Sequence, residues 1–154
     1  MNNIRRIALA LILVILSVSL ASAQPQPTVK WRARAHMTSD TRGTVTITAS
    51  IADGWHLYGT EIPQGGPTPT QISFALKGVR LSGQTSVSPA PEKHFDDILA
   101  MELNWWTGKV TFTQAFEITD PNAPSIAVKV KYMTCDDKNC TPPKELTLNV
   151  KLNR

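Results

Sequence analysis

Cysteine is the scarcest reactive residue in this chain: 154 residues contain two, Cys135 and Cys140. Two cysteines cannot build the multi-bridge framework of a small stapled domain. A structural zinc site would need two of His36, His56 and His94 as well, and no second closely spaced ligand pair exists to support one. Long apolar runs are missing after the first two dozen residues, so no stable membrane insertion is expected of the remainder. There is no internal repeat, no low-complexity segment, no convincing helical period and no sign of a second domain. Excess charge is missing too. A formal net charge of +4, spread evenly along the chain, gives no reason to expect nucleic acid as a partner.

The beginning of the chain reads as an export signal. Arg5 and Arg6 form a basic start, Ile7 to Leu20 is almost unbroken apolar sequence, and Ala21-Ser22-Ala23 places small residues for cleavage after Ala23. The apolar run is short for a bilayer span, which takes about 20 residues. No cysteine follows it to carry a lipid anchor. Residues 1–23 are thus expected to be a signal peptide, 24–28 a short extended leader and 29–154 one soluble domain, a monomer. Losing two arginines and no acid lowers the net charge from +4 to +2. Export also means an oxidising compartment, in which two cysteines of one domain normally pair.

Past the leader, period-two alternation dominates. Val29, Trp31, Ala33, Ala35 and Met37 alternate with Lys30, Arg32, Arg34 and His36; after a turn at 39–43, Val45, Ile47, Ala49 and Ile51 alternate with threonine and serine. A short aromatic segment, Trp55 to Tyr58, precedes a Pro- and Gly-rich stretch from Ile62 to Pro69. Further strand patterns run from Gln71 to Leu76, Val79 to Val87, Val110 to Ile118 (where Gln114 breaks the apolar face), Ile126 to Tyr132 and Leu146 to Leu152. Between Glu92 and Thr107, Ile98, Leu99, Met101 and Leu103 fit a helical turn or an irregular strand equally well. Seven or eight short strands with turn signals between them imply an all-β fold, an antiparallel β-sandwich of immunoglobulin-like type with the cysteine pair at a hairpin end.

Both cysteines lie in Tyr132-Met133-Thr134-Cys135-Asp136-Asp137-Lys138-Asn139-Cys140-Thr141-Pro142-Pro143, between two strands. A bridge closing a six-residue loop stabilises by about 2 kcal/mol, whereas one enclosing about 60 residues would give about 4. A purely stabilising bond would favour the longer loop, and a hairpin tip can be reached by another protein's thiol. Asp136 and Asp137 disfavour a thiolate while Lys138 and Lys144 favour one. Structural and redox-active roles both stay open on these residues alone.

The run Tyr132-x-x-Cys135-x-x-x-x-Cys140-x-Pro142-Pro143, with Ile51-x-Asp53-Gly54-Trp55-His56-Leu57-Tyr58 about eighty residues earlier, resembles the N-terminal periplasmic domain of the thiol:disulfide interchange protein DsbD. The resemblance covers the chain from about Val29 onward. It implies an immunoglobulin-like domain in the periplasm whose cysteine pair shuttles electrons and needs no cofactor. The donor would be the thioredoxin-like domain of a membrane reductase, and the acceptors periplasmic thioredoxin-fold oxidoreductases. By the same resemblance Cys140 attacks and Cys135 resolves. Phe95, Asp96, Asp97 and Ile98 match a cap loop whose acids raise the cysteine pKa, and His56 and Tyr58 match positions lining the site.

Three departures accompany the match. Four residues separate the cysteines where the enterobacterial form has five, and Ile98 stands where the cap aromatic is expected, with Phe95 three residues earlier. The sequence also ends at Arg154 with neither a membrane domain nor a thioredoxin-like domain, so a stand-alone shuttle served by a separate protein, or a domain that has lost its redox partner, is expected. A non-catalytic sandwich that binds another protein, with a structural disulfide, is the competing reading. A carbohydrate- or surface-binding sandwich using Trp55, Trp105 and Trp106 is a third.

Overall fold

A computed structural model describes residues 26–75, 77–97, 99–123 and 125–152. The expected export segment and its cleavage point after Ala23 lie outside these residues, as does Ile98. The strands are β1 (Val29–Met37), β2 (Arg42–Ile51), β3 (His56–Tyr58), β4 (Gln71–Ala75), β5 (Val79–Ser88), β6 (Glu92–Asp96), β7 (Met101–Trp106), β8 (Lys109–Ile118), β9 (Ser125–Tyr132), β10 (Thr134–Cys135) and β11 (Lys144–Lys151). They form three sheets, ordered β1-β2-β8-β5, β11-β9-β4 and β10-β3-β7-β6. Every pairing is antiparallel. No helix among the described residues is long and apolar enough to cross a membrane.

The alternation of β1 and β2 survives into the fold. Ala33 pairs with Ile47 and Ala35 with Val45, so the apolar positions of both strands face inward together. Ile47, Val110, Ile126, Val128 and Val130 have no exposed surface and, with Phe112, Phe116 and Val150, fill the space between the first two sheets. A fully buried aliphatic or aromatic side chain contributes about 1.5–3 kcal/mol. Each is therefore worth about as much as the whole six-residue disulfide loop, so the sandwich rests on its core and not on the S–S bond.

The ambiguous stretch resolves into the β6–β7 hairpin. Met101 and Leu103 lie on one face of β7, and burial does not alternate along the strand, since Leu103 and Trp106 are both buried. The strand is covered on both faces. Trp106 belongs to the main core with Leu57, whereas Leu103 packs in a second, smaller cluster with Tyr58 and Cys135. Asp96 closes the turn by accepting the Leu99 N–H at 2.8 Å.

Gln114 does not leave the core either. Its side chain is 2% exposed and lies opposite a bulge where the β5–β8 register shifts between Ser82 and Ser86. Nε2 donates to the carbonyls of Ser82 and Ala115 at 3.0 and 2.9 Å, and Oε1 accepts from Thr85 Oγ1 at 2.6 Å. The amide thereby satisfies backbone groups that the bulge removes from the ladder. Gln114→Glu would keep the shape but set a buried carboxylate against those carbonyls. We expect a loss of about 3–5 kcal/mol at neutral pH, shrinking at pH 4 as the carboxyl protonates and regains a donor; urea unfolding at both pH values measures it.

Candidate active site at the Cys135–Cys140 hairpin

Strand register gathers the site. Cys135 on β10 is paired with His56 on β3, Tyr58 on β3 with Trp105 on β7, and His94 and Asp96 on β6 with Leu103 and Met101. Paired residues share a face, and alternate residues along a strand return to it. Cys135, His56, Tyr58, Leu103, Trp105, His94 and Asp96 consequently lie on one side of the third sheet. Phe95 falls on the other side of β6 and is 67% exposed.

Cys135 and Cys140 form a disulfide, with their Cα atoms 4.0 Å apart. The two sulfurs are not equivalent. Cys135 is 2% exposed, whereas Cys140 is exposed. Tyr58 Oη donates to Cys135 Sγ at 3.2 Å inside the small cluster. Burial and the nearby Asp96 charge raise the phenol pKa, so it keeps its proton and remains a donor. Tyr58 is itself fixed, because its carbonyl accepts the buried Thr70 hydroxyl at 2.6 Å. Gly59, next in the chain, lies against Asn104: an added Cβ would stand 1.5 Å from Asn104 Oδ1.

The hairpin is closed by hydrogen bonds as well as by sulfur. Thr141 N–H donates to Thr134 O at 2.8 Å and Asp136 N–H to Asn139 O at 2.9 Å. Asp136 Oδ1 accepts from the N–H groups of Lys138 and Asn139 at 2.8 and 2.6 Å, which holds its carboxyl below the usual carboxylate range. Below the hairpin, Thr134 Oγ1 is bonded to Thr141 Oγ1 at 3.2 Å and to Thr28 Oγ1 at 2.9 Å, tying the site to the start of β1.

Trp105 lies between two imidazoles. His94 stacks on it at 3.9 Å with rings 1° from parallel, and His56 at 4.4 Å and 27°. Trp106 is buried and spends its N–H on Pro89 O at 2.9 Å, while Trp55 packs against the main core. With Trp105 covered on both faces, the indoles do not form an open platform for a sugar. A cleft of about 540 Å³ adjoins the hairpin, lined by Trp55, His56, Trp105, Asp53 and Asp137 among others. No group of three or more His, Cys, Asp or Glu among the described residues could hold a metal ion.

Among the residues expected at the site, His56, Tyr58 and Asp96 share the face of Cys135. Asp97 is exposed in the β6–β7 turn. Among the described residues, no ring contact or hydrogen bond joins Phe95 to either cysteine. Thr70, Thr134 and Thr141 carried no motif in the sequence. Trp105 and His94 stood out there only for other roles, as a sugar platform and a metal ligand.

The sandwich bears a two-cysteine disulfide hairpin with one sulfur buried and one exposed, an arrangement that leaves one sulfur open to thiol–disulfide exchange. The family model described as "Thiol:disulfide interchange protein DsbD, N-terminal" matches residues 23–152, and the chain belongs to that family. No curated protein matches the chain by sequence. Among solved structures, the N-terminal periplasmic domain of ScsB from Proteus mirabilis is similar over 84% of this chain, at 16% identity and TM-score 0.59. The chain spans 49% of that structure's length. The DsbD N-terminal domain from Neisseria meningitidis, in the reduced form, is similar over 86% of this chain and 92% of its own, at 18% identity and TM-score 0.50. The GAE domain of yeast GGA1 also has TM-score 0.50, at 13% identity over 84% of this chain and 96% of its own. At such identities the likeness is one of fold, and a fold alone does not carry chemistry.

Burial holds the His56 imidazole below its ordinary pKa of 6.5; Asp137 and Asp136 oppose the shift and His94 adds to it. A depressed folded-state pKa means that the unfolded chain binds the proton more readily. His56 should therefore favour folding fully above about pH 6.5, and that contribution should be lost as pH falls toward the lower folded value. Proton-detected titration of His56 and urea unfolding between pH 7.5 and 5 should show this loss, and His56→Phe should reduce it.

Proposed function

We propose that the chain is an exported, periplasmic electron-shuttle domain whose Cys135–Cys140 pair exchanges with thioredoxin-fold proteins. The supporting observation is the asymmetry of the sulfurs: Cys140 is exposed, and Cys135 is buried with a donor already on it. A thioredoxin-like domain of a membrane reductase supplies electrons, and periplasmic thioredoxin-fold oxidoreductases receive them.

In the reducing direction, a donor thiolate attacks Cys140 Sγ along its open side. A bond forms between the donor and Cys140, the Cys135–Cys140 bond breaks, and the electron pair leaves on Cys135 Sγ. Tyr58 Oη meets that developing thiolate with a hydrogen bond that becomes charge-assisted, which lowers the cost of placing charge in a buried site. The donor's second thiolate then attacks its own sulfur in the mixed disulfide and expels Cys140. The donor leaves oxidised, and the cysteine pair takes up two protons from solvent. In the second half-reaction, Cys140 attacks the acceptor's disulfide and Cys135 resolves the adduct.

The β6–β7 turn acts as the cap. Asp96 places negative charge near Tyr58, on the face that Cys135 shares, and disfavours a free thiolate there, while Asp97 is exposed in the turn beyond it. Phe95 is exposed in this conformation, which leaves Cys140 open to a partner.

Equilibration with glutathione tests the reading. A shuttle requires a reduction potential above about −300 mV, whereas a structural bond lies below it; a value below would establish the staple and the passive binding domain. Cys135→Ala should trap a mixed disulfide through Cys140 with a thioredoxin-fold partner. Tyr58→Phe should slow reduction of the disulfide roughly tenfold, the worth of one hydrogen bond to a charged sulfur, in stopped-flow mixing with a reduced thioredoxin-fold domain.

A further inference from the structure

The charges that alternate evenly along β1 in the sequence are collected by the strand's period onto one face of the first sheet. Lys30, Arg32, Arg34 and His36 all point outward and are exposed. Lys109 joins them, since Ser50 is paired with both Lys30 and Lys109 and the three form one row across β1, β2 and β8. These five residues, with Thr46, Thr48 and Ser50 between them, line an open groove of about 740 Å³ that contains no acidic side chain. Among the described residues, none of the five basic side chains makes a hydrogen bond or ion pair. Glu117, farther along β8 on the same face, is held by Arg80 and Arg42. At about 7 Å between alternate residues, the β1 row extends about 20 Å.

The opposite sign gathers elsewhere. Asp136 and Asp137 lie in the disulfide hairpin beside the single base Lys138, Asp96 lies near Tyr58, and Asp53 lines the adjoining cleft. The domain is therefore polarised, with a flat basic sheet face and an acidic cysteine end.

We infer that the outer face of β1, β2 and β8 rests on anionic phospholipid headgroups and holds the domain at the membrane surface. The inference rests on the exported location proposed above. Lipid fits this face better than a protein does. Protein interfaces are anchored by apolar and aromatic side chains in their centre, and the large apolar residues exposed among the described ones, Val87, Phe95 and Leu99, do not lie on this face. A headgroup layer needs only charge: each Lys or Arg near such a surface adds a nearly independent increment, screened over a Debye length of about 8 Å.

Sedimentation of the mature protein with vesicles tests this. Vesicles containing phosphatidylglycerol should bind it, pure phosphatidylcholine vesicles should not, and about 1 M salt should release it. The double variant Arg32→Gln, Arg34→Gln should partition roughly 25-fold more weakly, about fivefold per charge, with thermal unfolding and the disulfide reduction potential unchanged. Equal binding to neutral vesicles, no binding to anionic ones, or wild-type binding by the variant overturns the inference. Retention by heparin without vesicle binding also overturns it and assigns the face to a soluble polyanion. A structural-range disulfide potential would sink the shuttle while leaving the vesicle result standing, so the two failures are distinguishable.

Discussion

One hydrogen bond, from the Tyr58 phenol to the buried sulfur of Cys135, is the contact on which the proposed chemistry depends. A disulfide is symmetric in its bonding, and direction must come from its surroundings. Here the surroundings differ at each sulfur: one is wrapped in the Tyr58–Leu103 cluster and offered a donor, while the other faces solvent. In the proposed exchange, attack from outside falls on Cys140, and negative charge released inside meets the Tyr58 hydroxyl. The donor keeps its place because β3, though three residues long, is braced by Thr70 on the Tyr58 carbonyl and by pairing to both β10 and β7.

The fold serves this site by making it independent of the bond it carries. The main core lies between the first two sheets and owes nothing to sulfur. The hairpin has its own closure in the Thr134–Thr141 and Asp136–Asn139 backbone hydrogen bonds. Opening the disulfide removes one link from a loop that several others keep shut. Little rearrangement should accompany the chemistry, and preorganisation of this kind is what a rapid exchange partner requires.

Much of this architecture was legible in the sequence because a sandwich face repeats every two residues. The alternation in β1, β2, β8, β9 and β11 is local information and came through intact. The parts that did not come through depend on distant register. The stretch holding Leu99, Met101 and Leu103 fitted a helical turn as well as a strand because β7 is buried on both faces, with Leu103 in one core and Trp106 in the other. Gln114 looked like a break in the face because the bulge it serves lies on another strand. At the site, the cysteines and the Tyr58 segment were visible as motifs, but the bond between Tyr58 and Cys135 spans 77 positions. The expected cap residues Phe95 and Asp96 are neighbours in sequence, yet β6 sends them to opposite sides. Only the pairing of β6 with β7 reveals that Asp96 is the one on the cysteine side.

The indole of Trp105 sits between the rings of His56 and His94 and beside Tyr58, and His56 in turn feels the charges of the cysteine hairpin. The charges of Asp136 and Asp137 on the hairpin therefore act on a ring that stacks directly on the indole. The indole nearest the disulfide is thus held in a fixed ring stack, which makes Trp105 the native fluorophore placed to report on this end of the domain.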